Sequence, residues 1–364
     1  MKAAVLYEPM TRFIVEEVDI KSPESGEVLV KLVSSGVCHS DWHIVKGEWD
    51  SEAGYFTLPS VLGHEGAGVV EEVGEGVTSV IPGDHVILNW APSCGQCEMC
   101  YKGWPNLCMQ PPEIASKMTI KSTGEVVHPL WGLGTFATHT VVPEVAVVRI
   151  DDDVPFDQAA LVGCGVTTGV GAAINTAQVQ PGTSTAVFGC GGVGLSCIQG
   201  CVIAGASVVI AVDLLDSKLE LAKEFGATHT VNASREDPVQ RIKELTTGEG
   251  VHYSFEAIGL VEAPFVQSIR CTRRRGVTVW VGHAPIGTTV TLDARDLMDE
   301  KIVMGSMYGT SRPKLDFPRL LDLYKTGKLK LDELVSRRFT LEEIDKSFEV
   351  LAEGDVARSV LTFE

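Results

Sequence analysis

The chain is short of positive charge. Lys and Arg total 30 against 48 Asp and Glu among 364 residues, for a net charge of −18. A surface so acidic repels phosphate backbones and anionic lipid headgroups, so nucleic acid and membranes are expected to be poor partners. The opening stretch MKAAVLYEPMTRFIVEEVDI lacks the apolar run of a secretory signal. No uncharged apolar stretch of about 18 residues stands out, so no membrane span is expected. Repeats, low-complexity runs and flexible linkers are missing too. These absences point to a cytoplasmic location, where the 10 cysteines would be reduced thiols or metal ligands.

Hydrophobic residues make up 45% and charged residues 21%, the composition of a globular protein with a sizeable core. The length leads to an expectation of two domains. Residues 1 to roughly 150 alternate short β-rich runs with Gly, Pro and Asp turns, as in GEVLVKLVSSGV, which reads as a mostly antiparallel, barrel-like domain. From about Pro181 the rhythm changes to strand and helix in turn: STAVFG, the small-residue helix Val193–Ala204, SVVIAVD, the helix Ser217–Phe225, then YSFEAI, GVTVWVG and KIVMGS. That alternation implies a parallel sheet covered on both faces. Two helix candidates, DFPRLLDLYKTGK and LEEIDKSFEVLAEG, and a strand, RSVLTF, follow.

Three groups of residues carry chemistry. Gly189, Gly191, Gly192, Val193 and Gly194 follow an apolar strand and open a helix. Gly189 permits the tight turn, Gly191 lets backbone approach a pyrophosphate, and Gly194 lets helix and strand pack closely. Asp213 ends the next strand, where a carboxylate binds an adenosine ribose and repels a 2′-phosphate, which favours NAD over NADP. Cys94, Cys97, Cys100 and Cys108, spaced C-x2-C-x2-C-x7-C, can fill a closed tetrahedral shell around a structural zinc. An iron–sulfur cluster or a pair of disulfides are the competing readings. The third group is scattered: Cys38-His39-Ser40-Asp41-Trp42-His43, Gly63-His64-Glu65 and Gly163-Cys164-Gly165. Two thiolates and an imidazole would hold a metal with one position open for substrate, although nothing in the spacing alone joins these three segments.

Taken in order, these motifs resemble the zinc-containing medium-chain alcohol dehydrogenases, and the resemblance covers essentially the whole chain. It implies an α/β protein with a GroES-like, mostly-β catalytic domain and a Rossmann doubly wound parallel sheet. The expected bounds are 1–165 with a zinc lobe at about 92–110, then 166–308 for NAD, then 309–364 returning to the catalytic domain. It implies two Zn2+ per chain and NAD. Cys38, His64 and Cys164 match the catalytic zinc ligands, and Glu65 the acidic neighbour of that zinc. Ser40 matches the hydroxyl that bonds the alcohol, and His43 the base that ends a proton relay. His39 matches a pyrophosphate contact, Asp213 and Lys218 the adenosine-ribose contacts, Val281 a cofactor-lining position and Arg358 a cofactor-phosphate contact. Trp49 and Trp90 match positions bordering the alcohol pocket, and Trp131 is a candidate to join them.

The resemblance implies oxidation of an alcohol to an aldehyde or ketone, and the reverse, in a homo-oligomer, dimer or tetramer. The segments DHVILNWAPSCGQC and LVGCGVTTGVGAAINT also resemble bacterial formaldehyde-oxidising and nicotinoprotein members. Thiol-dependent formaldehyde oxidation, or an enzyme with permanently bound NAD, are therefore alternatives. A binding protein that lost the chemistry is a further one, opposed by the full set of ligands with Ser40 and His43. The segment 47–59, GEWDSEAGYFTLP, is longer than in better-known animal members and would border the pocket.

Overall fold

The computed structural model describes residues 1–49, 54, 56–354 and 356–363. The segment 47–59 thus falls partly outside the described residues, at positions 50–53 and 55. Chain contacts divide the molecule into two compact units: residues 1–164, 312–324 and 331–364 form one, and residues 165–311 and 325–330 the other.

The first unit is mostly β. Lys2–Leu6, Ile14–Ile20, Ser60–Val61, Met118–Ile120 and Val126–Pro129 close a small barrel. A seven-stranded sheet runs Val147–Ile150, His85–Leu88, Glu65–Val73, Glu27–Val37, Arg358–Thr362, Val335–Phe339, and His139–Pro143 also pairs with Glu27–Val37. Most pairings are antiparallel, as the turn-rich alternation requires, but Val335–Phe339 and Arg358–Thr362 run parallel. The long strand Glu27–Val37 is buried increasingly toward its C-terminal end, so it delivers Cys38 into the interior. The helix Ile344–Glu353 follows a capping box of Thr340 and Glu343 and stops at Gly354, which adopts φ +78°.

The second unit is a six-stranded parallel sheet in the order His229–Asn232, Val208–Asp213, Ser184–Phe188, Val251–Glu256, Thr272–Trp280, Ile302–Gly305. This is the 3-2-1-4-5-6 order of a doubly wound dinucleotide fold. Its central strand Ser184–Phe188 is buried throughout, because helices cover both faces. The last crossover carries only the short 3-10 turn Ala294–Leu297, and the first four each carry an α-helix, for example Gly192–Ile203 and Pro238–Leu245. The latter starts at Asp237, whose side chain accepts from Val239 N (2.8 Å) and Gln240 N (3.2 Å), with Pro238 in its first turn.

One sequence expectation needs correction. The helical run Phe156–Thr176 is 21 residues long and holds an 18-residue window with a mean hydropathy of 1.3, so a run of membrane-spanning length and apolar composition does exist. Of that window 78% is buried within the structure, and core packing accounts for its apolar character.

Candidate active site

The first site grows from the end of the strand Glu27–Val37. Cys38 is extended (φ −115°, ψ 152°) and the helix His39–Val45 starts directly after it. Helical spacing then turns Asp41 and His43 inward while His39 stays exposed and Ser40 half-buried. Ser40 and His43 stand three residues apart, hence on neighbouring positions of one face. Gly63, at φ +87°, turns the chain so that His64 and Glu65 enter the same interior; a Cβ there would come within 2.5 Å of Phe136 and Thr135.

Cys38, His64, Glu65 and Cys164 each offer a ligand atom, and these atoms lie within 4.8 Å of one another. All four are buried. The structure thus joins three segments that spacing alone left apart. His64 Nδ1 faces Asp41 Oδ1 at 3.3 Å, and Asp41 Oδ1 also accepts from Gly63 N at 2.9 Å. A carboxylate only accepts, so Nδ1 carries the ring proton and Nε2 is the lone-pair nitrogen. That Nε2 is buried with no hydrogen-bond partner, which is unfavourable unless a cation sits on it. Two sulfurs and one orphaned imidazole nitrogen fit Zn2+ with one coordination position left for substrate.

Electrostatics support a cation there. A hydrogen bond from Cys164 holds the Cys38 thiol well below its ordinary value, against the penalty of burial and with help from His64. Cys164 is pushed up by the same bond and by burial, so one proton is shared between two sulfurs. Burial pushes His64 down, but Asp41 and Cys38 outweigh it and raise it. Burial raises Glu65 to about 7 despite the opposing charge of Arg358.

Arg358, which the resemblance matches to a cofactor-phosphate contact, is 6% exposed and its Nη2 donates to Glu65. A guanidinium buried beside a carboxylate pairs with it first, because an unpaired buried charge is so costly. Deleting either partner should cost about 3–5 kcal/mol.

Three tryptophans border this cluster. The Trp131 ring lies 4.8 Å from that of His64 and 5.1 Å from that of Trp90, and Trp90 meets His64 edge-on at 6.4 Å. Trp49 is buried, stacks on His43 at 5.0 Å and reaches Trp131 at 6.4 Å. Trp131 adopts φ +48° and ψ 30°, a left-handed conformation unusual for a bulky side chain and of the kind found at binding sites. His43 is 2% exposed, and its Nδ1 lies 2.6 Å from Glu48 Oε2.

The four-cysteine lobe is the second site. The Sγ atoms stand 3.5 Å (Cys97–Cys100), 3.9 Å (Cys97–Cys108) and 3.5 Å (Cys94–Cys108) apart. A tetrahedron with Zn–S bonds of about 2.3 Å has edges of about 3.8 Å, so the cage suits one ion. Those separations exclude disulfides and leave no room for a multi-iron cluster. Backbone N–H groups of Gln96 and Cys97 donate to Cys94 Sγ, that of Cys94 to Cys108 Sγ, and that of Met109 to Cys97 Sγ. The bonds from Cys100 and Met109 bring Cys97 down to about 6, while burial takes Cys100 up to about 12.

The glycine-rich loop lies in the other unit, between Ser184–Phe188 and the helix Gly192–Ile203. Gly189 has φ +93°, Gly194 packs where a Cβ would overlap the Gly189 carbonyl, and a Cβ on Gly191 would meet only open space. The helix N-terminus is thus open to an anion such as a pyrophosphate. Asp213 Oδ2 accepts from Cys190 N at 2.8 Å, and Oδ1 from Leu214 N at 2.7 Å, so it also braces the loop. Lys218 is half-buried on the helix Asp216–Glu224. Val281 is buried, with its N–H on the Glu256 carbonyl at 2.8 Å.

Sequence reasoning gave no role to Asp41, Glu48 or Glu256. Asp41 lies within the segment Cys38 to His43, so its position was visible but its partner was not. Glu256 is fully buried, its carboxylate accepts from Ile258 N (2.9 Å) and Gly259 N (3.0 Å), and burial raises it to about 7.

Comparison with known proteins fits this geometry. The profile of the alcohol dehydrogenase GroES-like domain matches residues 24–152, and that of zinc-binding dehydrogenases residues 192–326. Over all of this chain and 99% of its own length, the S-(hydroxymethyl)glutathione dehydrogenase of Paracoccus denitrificans is 39% identical. Among solved structures, the benzyl alcohol dehydrogenase of Acinetobacter calcoaceticus superposes with a TM-score of 0.91 at 34% identity, covering 100% of this chain and 99% of that one. A zinc-binding-domain alcohol dehydrogenase from Burkholderia ambifaria gives 0.93 at 34% identity, with 100% and 98% covered. The chain belongs to the zinc-dependent medium-chain alcohol dehydrogenase family.

Proposed function

We propose that this protein oxidises an aromatic primary alcohol to its aldehyde, reversibly, with NAD as hydride acceptor. The buried Cys38–His64–Cys164 cluster, with its orphan His64 Nε2, is the observation that carries the reading. When bound, zinc acidifies the alcohol oxygen and NAD accepts the hydride. Cys38, Cys164 and His64 would hold the metal, and Asp41 fixes the His64 ring. Glu65 and Arg358 form a neutral buried pair behind them. Ser40 Oγ takes the hydroxyl proton of the substrate as it gives up its own toward His43, the base that ends the relay. Gly189–Gly194 would receive the pyrophosphate, with His39 a further phosphate contact. Asp213 and Lys218 would receive the adenosine ribose, and Val281 would line the cofactor. The Cys94–Cys97–Cys100–Cys108 cage would hold the second zinc.

Support for an aromatic substrate comes from Trp131 and Trp90 beside His64, since indoles pair with another ring at 4.5–7 Å. The relative that oxidises benzyl alcohol points the same way. A second reading, oxidation of a thiol adduct of formaldehyde, follows the name of the Paracoccus relative. The test is kcat/KM for benzyl alcohol, ethanol and S-(hydroxymethyl)glutathione with and without added NAD. We expect benzyl alcohol to exceed both others by at least about tenfold, the scale of one good apolar subsite. Preference for the glutathione adduct would replace the first reading with the second. Turnover with an artificial acceptor but no response to added NAD would mark the cofactor as permanently bound.

The working unit is a homodimer. Ile302–Gly305 is an edge strand of the parallel sheet, with Ile302 at 52% and Met304 at 38% exposure, and an apolar edge is better paired than bare. A cytoplasmic location is supported by 10 unpaired cysteines, six of them in the two metal clusters, which need a reducing compartment.

A further inference from the structure

His43 has no direct path to water: it is 2% exposed and covered on one face by the Trp49 ring, 5.0 Å away and within 14° of parallel. Among the described residues its side chain meets Glu48, whose Oε2 stands 2.6 Å from Nδ1 and whose side chain is 35% exposed. The turn that follows the helix His39–Val45 fixes this contact, since Glu48 N donates to the His43 carbonyl at 2.8 Å and Gly47 adopts φ +67°.

We propose that Glu48 is the positioning residue of the proton relay: it sets the tautomer of His43 and steadies the cation that His43 becomes. The proposal rests on the reading of His43 as base. An ionised carboxylate can only accept, so Nδ1 keeps its hydrogen on Glu48 and Nε2 presents a lone pair. When Nε2 takes up one proton, the ring becomes an imidazolium whose charge faces the Glu48 carboxylate. One proton is gained at Nε2, none leaves Nδ1, and no electrons move. A carboxylate behind a histidine does the same in hydrolytic triads, where it orients the ring and stabilises its charged form. Trp49 excludes water from the ring face, so solvent does not replace Glu48 there.

The test uses the zinc-loaded enzyme and the single-turnover rate of NADH formation from benzyl alcohol, because product release can mask the proton step in kcat. Glu48→Gln should lower that rate about tenfold or more, the lower range for losing positioned proton transfer. The KM for alcohol and the Kd for NAD should stay within about twofold, and Glu48→Asp should recover part of the rate. His43→Gln should be slow as well, and the double variant His43→Gln/Glu48→Gln should be no slower than His43→Gln alone. A parental rate for Glu48→Gln with a slow His43→Gln would overturn the role of Glu48. Additive losses, or a loss confined to KM and thermal stability, would overturn it too, by making Glu48 a prop for the turn. A parental rate for His43→Gln would instead remove the underlying base assignment.

Discussion

Two buried carboxylates differ in what surrounds them. Asp41 faces a ring N–H and a backbone N–H, and its role is to aim His64. Glu256 faces only backbone N–H groups, and burial raises it from 4.5 to about 7. A carboxyl raised in the folded state contributes stability below its unfolded value, and that contribution is lost as pH climbs through the folded value. Relative to Glu256→Gln, the parent protein should therefore lose about 3 kcal/mol of unfolding free energy between pH 4.5 and pH 7.5. Urea titrations of both proteins across that range measure it; a constant difference would show that Glu256 is ionised throughout. Residues of this kind are the least visible in sequence. Cysteines and histidines announce themselves by type and spacing, whereas Asp41 and Arg358 matter through partners 23 and 293 positions away. Spacing carries no information at such separations.

The helix His39–Val45 has seven residues, too few to be stable alone in water, so tertiary packing must hold it. Phe348, on the helix Ile344–Glu353, stacks on Trp42 at 5.6 Å and on Phe13 at 5.6 Å, and meets Phe136 edge-on at 6.0 Å. Phe348→Ala should cost about 3–5 kcal/mol, as for other buried Phe side chains. It should also slow alcohol oxidation although Phe348 is no part of the cluster, because Ser40 and His43 lose their support. Thermal unfolding and single-turnover rates check the two halves; destabilisation with a parental rate would mean that the helix holds its place unaided. Elements were the most readable level. STAVFG, SVVIAVD, YSFEAI, GVTVWVG and KIVMGS are strands of the parallel sheet, because a strand covered on both faces is written as a continuous apolar run. Phe156–Thr176 escaped notice for the converse reason: a helix buried all round shows no amphipathic period.

For the whole molecule, metal analysis should return two zinc ions per chain. Cys97→Ser should lower folded yield and thermal stability most, since that cage is closed and distant in sequence from the relay. Cys164→Ser should abolish turnover while sparing most of the fold. A single zinc in a fully active enzyme would refute one of the two cages. Sedimentation should give a dimer, and Ile302→Asp, which charges the apolar edge strand, should shift it toward monomer. A parent protein that sediments as a monomer would refute the edge pairing. The division into units was only partly legible, because the crossings at residues 324–325 and 330–331 leave no turn-rich linker in the sequence.

The bond between Glu65 and Arg358 also orders events during synthesis. The two residues are 293 positions apart, and the whole parallel-sheet unit is encoded between them. At 5–20 residues per second, a ribosome needs roughly 15–60 s to travel that distance. For that time the strand Glu65–Val73 exists without its cationic partner, and the strand Arg358–Thr362, which pairs with Glu27–Val37, has not been made. The half of the protein that begins first therefore finishes last. Nascent chains stalled before position 358 should carry a complete nucleotide-binding half and a metal pocket still open to water.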